Sequence, residues 1–111
     1  MMEVKHYVTA SGRDLMRVWL DELHDARAAA RIVMRIDRLA GGNFGDCKPL
    51  RGGLGELRID YGPGYRVYYA MVGRTCVLLL CGGDKRKQAT DIRRAIGYLE
   101  DYKQRVASHE T

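Results

Sequence analysis

Between Leu54 and Val72 polar and apolar residues alternate with a period of two, in two successive runs. In GELRIDY, Glu56, Arg58 and Asp60 share one face while Leu57, Ile59 and Tyr61 share the other; in YRVYYAMV, Arg66, Tyr68 and Ala70 oppose Tyr65, Val67, Tyr69 and Met71. Such alternation predicts two half-buried antiparallel strands. Taken as a three-residue hairpin loop, the intervening GPG (62–64) pairs Tyr61 with Tyr65, setting Asp60 opposite Arg66 and Arg58 opposite Tyr68. A two-residue loop would lay the polar face of one strand beside the apolar face of the other, because a slip of one residue inverts every side chain. The nearly all-apolar run CVLLLCG (76–82) predicts a central strand covered on both faces.

Other periods frame this sheet. EVKHYVT (3–9) alternates and predicts a first strand, with Thr9 or Ser11 capping the helix that follows. In RDLMRVWLDEL, Leu15, Met16, Trp19, Leu20 and Leu23 recur at helical spacing. A second helix is predicted from Asp25 to Ala40, with Ala29, Ile32, Val33, Ile36 and Leu39 as its apolar stripe and Arg27, Arg31, Arg35 and Arg38 on a solvated face. Gly41 and Gly42 end it, since glycine accepts the left-handed conformation there without steric cost. After GGDKRKQ, with Asp84 as N-cap, a last helix runs through DIRRAIGYLEDYKQRV on the stripe Ile92, Ala95, Ile96, Leu99 and Tyr102, and the SHET tail is expected to fray. The order β-α-α-β-β-β-α makes an α+β fold: a mainly antiparallel sheet of about four strands with two N-terminal helices and one C-terminal helix.

A chain of 111 residues makes a single domain, 1–111. No segment approaches the roughly 18 apolar residues of a membrane span, and the N-terminus lacks the apolar stretch of a secretory signal, so the expected compartment is the cytoplasm. Cys47, Cys76 and Cys81 are odd in number and form no C-x-x-C pair, which predicts reduced core or strand residues rather than disulfides or a zinc site. Charge changes the picture more. Residues 1–47 carry seven basic and seven acidic side chains, whereas residues 48–94 carry ten basic against four acidic. The excess positive charge thus lies in the strand-rich middle, implying a polyanionic or acidic partner.

On or beside the exposed sheet face this places Lys48, Arg51, Arg58, Arg66, Tyr68, Lys85, Arg86 and Lys87. Guanidinium groups bind phosphate bidentately and stay charged, which suits a developing phosphorane dianion without a metal. No carboxylate cluster has metal-ligand spacing, His6, His24 and His109 are scattered, and GGLG (52–55) lacks the context of a P-loop, so no metal or cofactor is expected. Cleavage of RNA by its own 2′-OH also needs a proton acceptor and a proton donor. Lys48 or Lys85, crowded by cations, could serve as base. Lys85, Arg86 and Lys87 stand at a helix start, where cations are electrostatically disfavoured, a placement that favours function. Arg66 opposite Asp60 as an ion pair, and Arg58 over Tyr68 as a cation–π contact, are equally open structural readings.

The run KPLRGGLGELRIDYGPGYRVYY, followed by LLLCGGDKRKQ and DIRRAIGYL, resembles the RelE/HigB/ParE superfamily of toxins from bacterial type II toxin-antitoxin modules, especially the HigB-like addiction module killer branch. The resemblance spans residues 3–103. It implies a compact RelE-like fold, an antitoxin partner of the helix-turn-helix DNA-binding kind and, as in RelE and HigB members, ribosome-dependent cleavage of mRNA. By resemblance Arg66 in G-Y-R and Arg86 in D-K-R match catalytic arginines, and Arg58 lies where a catalytic lysine is found. Lys48 and Arg51 fit the basic loop ahead of the sheet. Together with Lys85 as a catalytic group and Tyr68 and Lys87 as RNA contacts, these form the expected site. Two positions depart from the RelE pattern: Asp60 stands where a second lysine is expected and Ile92 where a tyrosine is expected, leaving Asp84 and Asp91 as acidic candidates. ParE-like relatives share the fold but inhibit DNA gyrase, and a non-catalytic RNA- or antitoxin-binding module would keep the same arginines.

Overall fold

The computed structural model describes residues 1–109. In chain order these form β1 (Glu3–His6), α1 (Leu15–Glu22), α2 (Ala26–Ala40), β2 (Cys47–Pro49), β3 (Leu54–Ile59), β4 (Tyr65–Val72), β5 (Cys76–Asp84) and α3 (Gln88–His109). The strands make one sheet in the order β1-β5-β4-β3-β2, antiparallel except for the parallel pair β1 and β5. The α+β class is as the patterning predicts, with one strand more. That strand, β2, is three residues long at an edge and contains Pro49, too short and too irregular for periodicity to reveal.

Each face of the sheet has its own core. Met16 of α1 and Ala28, Ile32 and Leu39 of α2 pack on Leu57, Ile59, Val67, Tyr69, Val77 and Leu79. On the opposite face Ala95 and Leu99 of α3 meet Leu54, Tyr68, Ala70, Leu78 and Leu80. Strand β5 is covered from both sides, as its apolar run requires, with Val77, Leu78, Leu79 and Leu80 all buried. The α2 stripe is rotated from the predicted one: Ala28 is buried in place of Ala29, and Val33 points outward, 46% exposed.

Local chemistry sets the boundaries. Asp14, and not Thr9 or Ser11, caps α1 by accepting from the Arg17 N–H; Thr9 instead accepts from the Arg13 N–H, closing a turn at Gly12, where φ is 88°. Asp25 caps α2 through the N–H groups of Arg27 and Ala28, and Gly42, at φ 91°, ends it. Asp84 is an N-cap as predicted, accepting from the Arg86 N–H, but of a 3-10 turn over Lys85–Lys87 from which α3 follows at Gln88; Ser108 and His109 continue α3, and Glu110 and Thr111 of the SHET tail lie outside the described residues. The C-terminal half of α3 is tied to the segment just after β1 by the Tyr7 hydroxyl donating to Asp101 at 2.6 Å, with Arg105 bound to the same carboxylate. No helix among the described residues is long and apolar enough to cross a membrane.

Gly97, within α3, is exposed and has no atom within 4 Å of where a Cβ would stand. Gly97→Ala is therefore expected to raise stability by about 0.5–1 kcal/mol, by removing backbone freedom from the unfolded chain. A higher urea midpoint with an unchanged m-value checks it.

Candidate functional site

The β3–β4 connection differs from a three-residue loop. Residues 60–64 link the strands, so Ile59 pairs with Tyr65, Arg58 with Arg66, and Glu56 with Tyr68. The Tyr61 N–H donates to Ile59 O and the Gly64 N–H to Tyr61 O, a compact turn needing positive φ at Gly62 and Gly64. The predicted register is displaced by two residues, and since two is the period of the strand, Arg58 and Arg66 still share a face. Asp60 does not pair with Arg66; it stands exposed in the turn. Nor does Arg58 lie over Tyr68.

Two arginines directly opposite one another repel, so each needs compensation. Arg58 Nη2 lies 3.1 Å from Asp46 Oδ1. Arg66 Nε lies 3.8 Å from Glu56 Oε1, where the two side chains are only 11% and 1% exposed, and Arg66 Nη1 donates to Tyr65 O. Glu56 also accepts from the Gln88 side chain at 2.7 Å. Each arginine thus has its own carboxylate, Asp46 for Arg58 and, for Arg66, the Glu56 that Gln88 of α3 holds in place, although Arg66 Nε and Glu56 Oε1 are at ion-pair distance without a hydrogen bond.

Behind Arg66 the polar layer continues inward. Tyr68, expected on an exposed face, is fully buried because the start of α3 covers β4 there. Burial, with Glu56 and Asp91 adding to it, pushes its phenol pKa far up. Gly82 and Gly83 let the neighbouring elements approach: a Cβ at Gly82 would sit 2.2 Å from the Trp19 ring of α1, and one at Gly83 would sit 2.0 Å from the Asp91 carboxylate of α3. Burial raises the pKa of Asp91 above the ordinary carboxylate range, against the pull of Arg94 and Lys87. The native state then holds this proton more tightly than the unfolded chain, so Asp91 lowers stability progressively as pH rises from the ordinary carboxylate range through its native pKa. Asp91→Asn is expected to stabilise the domain at neutral pH, with the gain vanishing in acid below that range. Urea unfolding of both proteins across pH checks this, and a gain that persists in acid would contradict it.

In front of the arginine pair lies a cleft of about 300 Å³, lined by Asp46, Arg58, Asp60, Arg66, Lys85 and the GPG turn. The Lys85 N–H donates to Gly64 O at 2.8 Å, and a Cβ at Gly64 would lie 3.5 Å from Arg66 Nη1 and 3.6 Å from Lys85 Cβ. Of the predicted site residues, the fold therefore gathers Arg58, Arg66 and Lys85. The others stand apart from the cleft lining. Lys48 is exposed on β2, its Cα opposite Glu56. Arg51 is exposed in a 3-10 turn whose Gly52 and Gly53 abut Ile96 and Leu99 of α3. Arg86 and Lys87 are exposed in the turn before α3, Arg86 bound to Asp84 at 3.1 Å; that contact holds the Asp84 carboxyl below the ordinary range. Tyr68 is an inner residue with no surface to offer RNA.

Sequence reasoning passes over Asp46, Glu56 and Gln88 as site residues. Asp46 comes beside Arg58 through the unpredicted strand β2, and Glu56 reads as one more polar residue on a solvated face. His6 lies on β1 against Asp14 at 2.8 Å and is outside the cleft lining. All three cysteines are free thiols; burial raises the pKa of Cys81 to about 12, which makes it inert. Among the described residues no three His, Cys, Asp or Glu side chains come together as metal ligands.

The structure is a small α+β domain in which Arg58, Arg66 and Lys85 are gathered with Asp46 and Asp60 around one cleft. The chain matches the family model for Phage derived protein Gp49-like (DUF891) over residues 18–97, and it belongs to that family, a toxin-like one related to RelE and HigB. It is 53% identical over 77 residues to an uncharacterized protein of Haemophilus influenzae, a match covering 69% of this chain and 78% of that one.

Proposed function

We propose that this protein is the toxin of a type II toxin-antitoxin pair, a metal-independent endoribonuclease that cuts mRNA on the ribosome in the cytoplasm and is neutralised by a helix-turn-helix antitoxin. The observation that carries the reading is the direct Arg58–Arg66 pair across β3 and β4, with Lys85 at its edge. Attack of a 2′-OH on the adjacent phosphate builds charge on the non-bridging oxygens, and guanidiniums oriented in advance stabilise that charge more than the ground state. Arg66, held by Glu56, and Arg58, held by Asp46, supply this pair. The cleft also offers carboxylates, Asp46 and Asp60, to accept the 2′ proton, and the Lys85 ammonium to donate one to the departing 5′ oxygen. Lys48, Arg51, Arg86 and Lys87 then serve as outlying phosphate contacts, a role open to exposed cations outside the cleft.

Primer extension on total RNA after a short pulse of expression tests the reading. Discrete new 5′ ends inside translated messages are expected with the natural protein and not with Arg66→Lys, which keeps a cation for Glu56 but loses the planar fork. Gyrase inhibition is the second reading, favoured by the carboxylate partners that Arg58, Arg66 and Arg86 already have. Intact messages with altered plasmid supercoiling would establish it in place of the first.

A further inference from the structure

We propose that the groove along α2 docks an acidic amphipathic helix of a protein partner. The groove, about 760 Å³, runs beside α2 to the end of β3 and is rimmed by Arg27, Arg31, Arg35 and Arg38, with Asp60 at one end. Four arginines at spacings of four, four and three share one helix face, successive ones about 6 Å apart along the axis and the last two about 4.5 Å. A partner helix with glutamates at i and i+4 presents the same repeat with opposite charge.

Two of the rim arginines are set in place. The Arg35 guanidinium donates to the carbonyls of Arg58, Asp46 and Phe44, and Arg31 lies 4.6 Å from the centre of the Tyr61 ring. Arg27 and Arg38 have no carboxylate within ion-pair distance among the described residues. Between the cations the floor is aliphatic, made by Ala30, Ile59 and Met34, the last 45% exposed and next to the outward Val33. That mixture suits leucine or methionine side chains flanked by acids. It suits single-stranded RNA poorly, because bases need ring platforms and the neighbouring ring, Tyr61, already carries Arg31. The groove stands on the α1/α2 side of the sheet, whereas Arg58 and Arg66 face the other side and the two sites share only Asp60, so the arginine rim on which this inference rests is separate from the RNA-cleaving reading.

The test is selection of a phage-displayed library of helical peptides, about 16 residues long and varied in charge and apolar spacing, on the intact protein. Enriched peptides should be acidic, with apolar residues at helical spacing. Their affinity should fall about tenfold or more on Arg31→Glu/Arg38→Glu, several-fold on Met34→Ala, and steeply with added salt. The exposed positions of these three residues leave folding intact, which circular dichroism checks, and RNA cleavage by the variants should be unchanged. Enrichment without acidic bias, or equal binding to the double variant, overturns the proposal. So does an oligouridylate whose binding the double variant abolishes while no acidic peptide is enriched, which would make the groove a nucleic-acid surface.

Discussion

Arg66→Ala is expected to lose both activity and stability, and the two losses are separable. Removing an oriented donor from a developing oxyanion costs about 10²–10³ in rate. Removing it from above Glu56 also leaves a carboxylate that is 1% exposed without its cation, a change that typically costs about 3–5 kcal/mol. In Arg66→Ala/Glu56→Gln the uncompensated charge is gone, so much of the stability should return while cleavage does not. Urea unfolding and primer extension on the same three proteins decide it. A single variant as stable as the natural protein would show that Glu56 does not depend on Arg66, and a double variant that cleaves RNA would remove Arg66 from the chemistry.

The second large effect is expected at the glycine pair of β5. A methyl at Gly82 meets the Trp19 ring and one at Gly83 meets the Asp91 carboxylate, both far inside contact distance. Neither glycine has positive φ, so it is the space and not the backbone conformation that demands glycine. Overpacking of this kind costs about 1–3 kcal/mol, and more where the neighbour cannot move. Gly82→Ala should lower the melting temperature by tilting α1. Gly83→Ala should lift the start of α3 and with it Gln88, the support of Glu56, so it alone should reduce cleavage beyond what its stability loss explains. Equal activity per folded molecule in the two variants would sink that distinction.

What could be read from residues alone follows from which patterns are periodic. Alternation in β3 and β4 places Arg58 and Arg66 on one face under either loop length, because registers differing by two are equivalent for facing. The loop itself is not decided by its glycines: GPG suits a three-residue hairpin, and only the Ile59–Tyr65 pairing and the hydrogen bonds of Tyr61 show five residues outside the ladder. The burial of Tyr68 and Glu56 depends on where α3 starts, and Gln88 has no periodic signature. Asp46 is reached only through a three-residue edge strand. In the α2 stripe Ile32, Ile36 and Leu39 face the core as predicted, but Ala28 does so in place of Ala29, and Val33, although at apolar spacing, points outward.

The parallel pairing of Glu3–His6 with residues 76–79 bears on when this protein can act during its own synthesis. The first strand to leave the ribosome has its partner more than half the chain away, a non-local closure that is slow and entropically costly until β5 is present. Before then β1 has no ladder, α1 has no β5 to rest on, and Lys85 has not been made. A nascent chain halted short of β5 therefore carries both arginines but no assembled cleft. Any harm the finished domain can do is withheld from its unfinished fragments.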